Sequence, residues 1–287
     1  MTGLTSPTRE IKAASRHDAD DVCSLSLVRR MAALLDRDPM LFRSGMPLPR
    51  GWHVLLFNPP TRQSELRNDG AAELGIPLPN LGLPRLMMGG RHIEFIGDIP
   101  IGAVLTRSSH CQSVEHKVGR SGSFALVRII HEICVRGEKS PILVETSSYV
   151  LREAEDSPNR RPEPRAHVPL AGMRATVITK AILPDEPMLF RYSAITDNPH
   201  RIHYDSGFAT KVEGYPSLLV NGSLPMMFLL ELFRDHLGRE VQQIKSRNLA
   251  PMYCGQPLML SLSDDESQYV LTAANAGGEI CVEARAS

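Results

Sequence analysis

The strongest constraint on the fold is the apolar run Leu224–Phe233, which is interrupted only by Glu231. The run is too long for an ordinary strand and predicts a mostly buried helix. A polar segment, Asp197–Asp205, lies shortly before it and places carboxylates, an amide and two histidines in nine positions. A helix N-terminus offers free N–H groups and partial positive charge, and such side chains can transfer protons. The combination is typical of an active site.

The rest of the chain predicts two groups of strands, each accompanied by a helix. Val22–Leu35 has helical spacing, whereas the first twenty or so residues are polar and we expect poor order there. Long irregular loops are predicted between Pro47 and Pro84, and Gly137–Ser140 predicts a hairpin. The predicted strands are Arg91–Ile96, Ala103–Val114, Ser123–Arg136 and Pro141–Leu151, followed by Ala175–Leu183, Gln242–Leu249, Pro257–Leu262, Tyr269–Ala274 and Ile280–Ala286.

A charged segment with three prolines, residues 153–166, is the best candidate for a linker. It separates an N-terminal half, residues 1–152, from a C-terminal half, residues 167–287, that contains the polar segment. Each half combines a helix with antiparallel strands. The sequence therefore predicts a duplicated α+β unit.

Composition excludes several function classes. The formal net charge is zero, so no overall field would attract nucleic acid or an anionic membrane. No apolar run is long enough to span a bilayer, and the N-terminus shows no secretory signal, so we expect a cytoplasmic protein. The five cysteines are scattered without a CxxC pair, which makes a disulfide framework or a zinc knuckle unexpected.

The polar segment permits three interpretations. It can be a capped turn with surface histidines, because Pro199 disfavours a helical conformation at Asn198. It can be a metal site, although spacing alone is weak support for one. It can also be an acid–base centre in which His203 titrates near neutrality and an amide or a carboxylate orients water. The candidate metal ligands are His200, His203 and Asp205, and the candidates for orienting water are Asn198 and Asp197.

The same residues resemble the motif of the MaoC-type, R-specific enoyl-CoA hydratases. Phe190–Asp205 and Val212–Leu224 resemble more closely the mesaconyl-C4-CoA and itaconyl-CoA hydratases, which are related to mitochondrial hydroxyacyl-thioester dehydratase type 2. Residues 60–69, 82–95, 118–124 and 251–257 also resemble that group, so the similarity covers most of the chain from about Gly51. It implies a double hotdog fold, in which two antiparallel sheets each wrap a long helix.

The resemblance also implies roles for individual residues. The catalytic histidine of the family corresponds to His203, and the position five residues earlier, acidic in the wider group, is Asn198. The neighbouring Asp197 is the alternative second catalytic group. Gly222 corresponds to the glycine whose backbone N–H stabilises negative charge on the thioester oxygen. The residue before it, usually His in relatives, is Asn221.

Three further residues are weaker candidates. Asp205 could orient the imidazole of His203. Arg85 and Arg91, in the N-terminal half, could bind CoA phosphates or a substrate carboxylate, although solvated charges at a sheet edge would give the same pattern.

The resemblance implies a homodimeric hydro-lyase that adds water to a short dicarboxylic enoyl-CoA, itaconyl-CoA or mesaconyl-C4-CoA, and forms citramalyl-CoA. No metal or redox cofactor is expected, because the thioester itself acidifies the α-carbon. The alternatives are dehydration of 3-hydroxyacyl groups on a carrier protein or in fatty-acyl substrates, and non-catalytic binding of acyl-CoA.

Overall fold

The computed structural model describes residues 16–72, 74–119, 122–153, 178–265 and 268–287. Ten strands form one antiparallel sheet with the order β1-β3-β4-β5-β2-β7-β10-β9-β8-β6. The strands are β1 (His17–Val22), β2 (Arg85–Phe95), β3 (Val104–Gly119), β4 (Gly122–Val135), β5 (Leu143–Arg152), β6 (Ile178–Ile182), β7 (Gln243–Asn248), β8 (Leu258–Asp265), β9 (Gln268–Ala274) and β10 (Ile280–Ala286).

The strand order shows an internal duplication. The order of the first five strands, β1-β3-β4-β5-β2, recurs in reverse as β7-β10-β9-β8-β6, so β6 to β10 are equivalent to β1 to β5. In both halves a helix lies between the first and the second strand. The duplicated α+β architecture expected from the sequence is therefore present. Apart from Glu153, the predicted linker at 153–166 lies outside the described residues, and the domain boundaries stay a prediction.

The two halves meet where β2 pairs with β7. A side chain at Gly90 would place its Cβ 2.2 Å from the carbonyl oxygen of Ser246 on β7, so only glycine fits at this close approach. The pairing places Arg91 opposite Ser246 at the centre of the ten-stranded sheet.

The predicted buried helix is α3, Leu224–Leu237, which ends where Gly238 adopts a left-handed conformation with φ of 63°. Its apolar residues pack against β8 and β9. The other predicted helix is α1, Leu25–Leu34, which buries Val28 and Met31. No helix in the described ranges is both long and apolar enough to cross a membrane.

One helix was not predicted. Helix α2, Glu186–Ile195, begins at Asp185, whose carboxylate accepts a hydrogen bond of 2.8 Å from the backbone N–H of Met188. Its sequence, EPMLFRYSAI, lacks a continuous apolar stripe, and Pro187 in its first turn resembles a loop signal. The cap and packing against α1 stabilise the helix instead.

The expectation of poor order in the first twenty or so residues is wrong for residues 17–20, which belong to β1. This strand is mostly exposed, and its sequence, HDADDV, shows no apolar alternation. It is held by pairing with β3 and by two side-chain hydrogen bonds: Ser108 donates to Asp18, and Thr106 donates to Asp20. Pairing with a neighbour cannot be recognised from such a polar segment alone.

The carboxylate that interrupts the apolar run has partners from other elements. Glu231 on α3 is 4% exposed and accepts hydrogen bonds from Trp52 Nε1 at 3.0 Å and Arg37 Nε at 2.8 Å. Arg234, one turn later, also donates to it. Glu231 therefore joins α3 to the N-terminal half.

All five cysteines are free, and four of them are buried. Buried free thiols pack as small apolar side chains.

Candidate active site

His203 lies in a short 3₁₀ turn, Arg201–His203, that follows α2. Its imidazole is 8% exposed, and its Nδ1 lies 2.9 Å from the carbonyl oxygen of Leu219. A carbonyl oxygen can only accept a hydrogen bond, so Nδ1 carries the proton. Nε2 is then the basic nitrogen.

Burial lowers the pKa of His203 to about 4. Burial acts in this direction because the charged imidazolium would lose its hydration. The hydrogen bond to the Leu219 carbonyl opposes the shift, whereas the nearby ring of His200 lowers the pKa further through charge repulsion. The imidazole is therefore neutral at pH 7 and can act as a base.

Backbone hydrogen bonds bring His203 close to the start of α3. The N–H of Leu219 donates to the carbonyl of Ile202 at 3.0 Å, while the Leu219 carbonyl accepts from His203. Gly222 follows three residues later, so the chain length alone limits its distance from Leu219 to roughly 10 Å. The histidine turn and the helix N-terminus are thus parts of one site.

The turn before α3 is fixed by side chains. Asn221 Oδ1 accepts hydrogen bonds from the backbone N–H of Ser223 at 3.1 Å and from its hydroxyl at 2.7 Å. The same hydroxyl lies 2.8 Å from the hydroxyl of Tyr192 on α2. Asn221 therefore orders the turn around Gly222.

Gly222 lies two residues before the first residue of α3, where the backbone N–H groups have no partner within the helix. A Cβ at this position would lie 3.2 Å from the amide nitrogen of Asn248. A glycine keeps this space open for a ligand that approaches the N–H group.

The two candidates for the second catalytic group differ in position. Asn198 is half-buried, and its Oδ1 accepts from the backbone N–H of His200 at 3.2 Å. Asp197 is exposed and ends α2 in a left-handed conformation with φ of 46°. Which of the two residues is the second catalytic group stays a prediction.

Asp205 does not orient His203. Its carboxylate accepts hydrogen bonds from Arg201 Nη2 at 2.7 Å and from the backbone N–H of Phe208 at 2.9 Å, which holds the following turn. The carbonyl of Leu219 orients the imidazole instead. Among the described residues no group of three or more His, Cys, Asp or Glu side chains is arranged to hold a metal ion.

A loop of the N-terminal half packs against the histidine turn. The backbone N–H of Arg201 donates to the carbonyl of Asp69 at 2.8 Å, and the Asp69 carboxylate lies 3.8 Å from His200 Nε2. Burial lowers the pKa of His200, and Asp69 opposes that effect. The site therefore lies where the two halves meet, with His200 in contact with the loop.

The N-terminal half contains a buried polar group that the sequence analysis missed. Glu145 on β5 is 2.9 Å from His53 Nε2, 2.5 Å from the Ser147 hydroxyl and 3.4 Å from Arg91 Nε. Buried and half-buried residues alternate along β5, and this pattern could have indicated the group, because Glu145 and Ser147 occupy inward positions between buried leucines. Inward polar residues need partners, and these lie on other elements.

The two candidate arginines both lie on β2. Arg91 is in the interior of the molecule, so its interpretation as a sheet-edge charge is wrong: β2 is a central strand. Arg85 begins the strand and pairs with Arg152 of β5 in the register of the sheet. A role of Arg85 in binding substrate stays a prediction.

Comparison with known proteins shows which family the chain resembles. Residues 51–254 match the family described as hydroxyacyl-thioester dehydratase type 2. The chain is 32% identical over 265 residues to mesaconyl-C(4)-CoA hydratase of Chloroflexus aurantiacus, covering 92% of both proteins. It is 27% identical to the mitochondrial hydroxyacyl-thioester dehydratase type 2 of Schizosaccharomyces pombe, covering 78% of this chain and 80% of that protein.

Solved structures support the architecture. A Mycobacterium tuberculosis protein with a double hotdog fold superposes with a TM-score of 0.61 at 14% identity, covering 99% of this chain and 98% of the other. This likeness concerns the fold alone, and it confirms the α+β double hotdog. Together with the sequence relationships, it shows that the chain belongs to the hydroxyacyl-thioester dehydratase type 2 family of MaoC-like hydratases and dehydratases.

Proposed function

We propose that this protein hydrates a short dicarboxylic enoyl-CoA, mesaconyl-C4-CoA or itaconyl-CoA, to citramalyl-CoA. The observation that carries the proposal is the neutral, buried His203, whose hydrogen-bonded partner Leu219 lies three residues before Gly222. This arrangement places a base beside backbone donors at a helix start, as the addition of water to an enoyl thioester requires. The name of the Chloroflexus relative supports this choice of substrate.

In the proposed mechanism, Nε2 of His203 accepts a proton from water as the water oxygen forms a bond to the β-carbon. The electron pair of the double bond moves toward the thioester carbonyl, whose oxygen gains negative charge. The N–H of Gly222 donates to that oxygen and is assisted by the dipole of α3. His203 then returns the proton to the α-carbon, which completes the addition of one water molecule.

Two groups orient the reactants in this scheme. Asn198 holds the attacking water through its side-chain NH2 group, since its Oδ1 already accepts a hydrogen bond from the backbone N–H of His200. The hydrogen-bonded group of Asn221, Ser223 and Tyr192 fixes the turn that presents the Gly222 N–H. We expect no metal or redox cofactor, because the thioester provides the acidity of the α-carbon.

The proposal is tested by following the ultraviolet absorbance of the enoyl thioester in parallel reactions with mesaconyl-C4-CoA, itaconyl-CoA and crotonyl-CoA. We expect rapid loss of absorbance with a dicarboxylic substrate and little with crotonyl-CoA. Activity on crotonyl-CoA alone would refute the dicarboxylic assignment. A folded protein inactive on all three substrates would contradict hydration of these substrates and favour a carrier-protein substrate or non-catalytic binding.

A second candidate function is the dehydration of 3-hydroxyacyl thioesters, which the name of the Schizosaccharomyces pombe relative favours. The same groups would act in the reverse order. Release of water from 3-hydroxybutyryl-CoA, with a rise of enoyl absorbance, would support this function.

A further inference from the structure

We propose that Arg91 binds the free carboxylate of the acyl group and thereby selects dicarboxylic over monocarboxylic substrates. This inference rests on the proposed function, and it assigns the choice of substrate to one side chain of the N-terminal half.

Arg91 occupies a central position in the sheet. It lies on one of the two central strands, between Ser147 of β5 and Ser246 of β7. Its side chain faces the interior, because its partner Glu145 is only 6% exposed. Nevertheless, 25% of the Arg91 side chain is accessible, so a ligand can reach it.

The surroundings of Arg91 adjoin the candidate active site. The hydroxyl of Tyr192 is close enough to act electrostatically on the Arg91 guanidinium, and the same hydroxyl lies 2.8 Å from Ser223 Oγ, next to Gly222. From the other side, the amide of Asn248 adjoins Gly222 and donates to the carbonyl of Met88 on β2 at 3.2 Å. Arg91 and Gly222 are therefore close to the same groups.

Within the described ranges, Arg91 has one acidic partner and two unused terminal nitrogens. Although burial alone would raise the pKa of Glu145, Arg91 and the hydrogen bond from His53 hold it well below its usual range. The carboxylate therefore stays charged and lies 3.4 Å from Arg91 Nε. Neither terminal nitrogen of Arg91 has a hydrogen-bond acceptor among the described residues. Those two nitrogens form the fork that binds a carboxylate in a bidentate manner.

The other charges near Arg91 leave it with one shared partner. In the described part of the chain, Arg107 is influenced by two carboxylates, Glu145 and Asp21 of β1. The carboxylate that acts on Arg91 is Glu145, which also binds His53. An anionic acyl group would therefore add a partner for Arg91.

The chemistry of the proposed substrate agrees with this location. In mesaconyl-C4-CoA the free carboxylate is attached to the carbon that receives water, so it enters the site together with the reacting atoms. A buried carboxylate without a partner would be costly. A monocarboxylic acyl group would leave the terminal nitrogens of Arg91 unpaired.

Binding of two unreactive thioesters tests the proposal without relying on turnover. Succinyl-CoA carries a carboxylate where butyryl-CoA carries a methyl group, and isothermal titration calorimetry gives the Kd of each. We expect the wild-type protein to bind succinyl-CoA at least tenfold more tightly, Arg91→Gln to abolish this preference, and Arg91→Lys to retain part of it. If Arg91→Gln does not fold, the lysine variant and the wild-type preference provide the test.

Arg128→Gln is the matched control, because Arg128 lies on the opposite face of β4, where it pairs with Glu115. It should leave the ratio of the two Kd values unchanged. Equal binding of both thioesters by the wild type would overturn the proposal. So would an equal loss of both affinities in Arg91→Gln, since that would indicate a contact with the CoA moiety or a structural role.

The two proposals fail in different ways. A preference for succinyl-CoA that depends on Arg91, without hydration of mesaconyl-C4-CoA, would refute the proposed hydratase activity and support the carboxylate site. Hydration of mesaconyl-C4-CoA by a protein without this preference would refute only the carboxylate site.

Discussion

The protonation state of His203 predicts an unusual dependence of activity on pH. Because burial lowers its pKa to about 4, the imidazole stays neutral down to mildly acidic pH. We expect kcat/KM for mesaconyl-C4-CoA at pH 5.5 to lie within a factor of about two of its value at pH 7.5. A histidine with the ordinary pKa of about 6.5 would lower kcat/KM roughly tenfold between pH 7.5 and pH 5.5. A loss of that size, with the protein still folded, would contradict the assigned environment.

Gly222 is expected to be sensitive to a single added methyl group. In Gly222→Ala the new Cβ would lie 3.2 Å from the Asn248 amide and beside the N–H that receives the thioester oxygen. We expect kcat/KM to fall about tenfold to a hundredfold, while the free energy of unfolding changes by less than about 1 kcal/mol. Steady-state kinetics and urea unfolding measure the two effects. Full activity in this variant would contradict the close approach of the thioester to Gly222, because the added methyl group would then obstruct nothing.

The residues of the candidate site were only partly predictable. The resemblance to the MaoC-type hydratases implied roles for His203, Asn198 and Gly222, whereas the residues alone left a capped turn, a metal site and an acid–base centre open. The sequence could not assign the partner of His203, because that partner is the backbone carbonyl of Leu219, a group that every residue type possesses. Nor could it identify Glu145, whose partners include Arg91 on β2 and His53 in the short 3₁₀ helix Trp52–Leu55.

At the scale of single elements, the interruption of α3 by Glu231 is a structural requirement. Glu231→Gln leaves Arg37 and Arg234 without their buried anionic partner, so we expect the free energy of unfolding to fall by about 3 kcal/mol. Asp235→Asn is the control, because Asp235 also pairs with Arg37 but its side chain is 44% exposed, and its loss should cost less than about 1 kcal/mol. Urea unfolding of both variants provides the comparison. Equal stability of Glu231→Gln and the wild type would show that the buried ion pairs contribute little.

Regular elements were predictable wherever they bury an apolar face. Strands β2 to β5 and β8 to β10, together with α1 and α3, correspond to apolar periodicity in the sequence. Strands β6 and β7 were also predicted, although β6 has no fully buried residue and β7 buries only Ile244. The exceptions, β1 and α2, have weak periodicity. One is held by strand pairing and the other by a capping carboxylate and by packing against another helix. Such stabilisation comes from tertiary contacts, which a local pattern does not contain.

For the whole molecule, two buried histidines predict a loss of stability in mild acid. Burial lowers the pKa of both His131 and His203 to about 4, whereas each is about 6.5 in the unfolded chain. The unfolded state therefore binds more protons between these values. The stabilisation is complete above pH 6.5 and is lost progressively as the pH falls toward 4.

We expect the free energy of unfolding to fall by roughly 2 kcal/mol per pH unit between pH 6 and 5, which corresponds to nearly two protons. Urea unfolding at several pH values measures this slope. His131→Gln should reduce it by about half, because His131 hydrogen-bonds only to Ser109 among the described residues and a neutral amide can replace it. A slope that is unchanged in this variant would show that other groups are responsible.

The arrangement of the halves was the most predictable feature of the whole molecule, since repetition of a helix and a set of strands survives without sequence identity. The pairing of β2 with β7 was not predictable, because it depends on the close approach at Gly90. The homodimer and the cytoplasmic location stay predictions, and light scattering after size-exclusion chromatography would test the first.

The proposed mechanism requires His203 as the catalytic base of a hydratase. The most direct test compares His203→Gln with the wild type in the hydration of mesaconyl-C4-CoA. Glutamine retains a donor for the Leu219 carbonyl but has no basic nitrogen. We expect kcat to fall at least about a hundredfold with the circular dichroism spectrum unchanged, whereas His236→Gln, at the exposed end of α3, should remain fully active. A folded His203→Gln variant with wild-type turnover would contradict the mechanism.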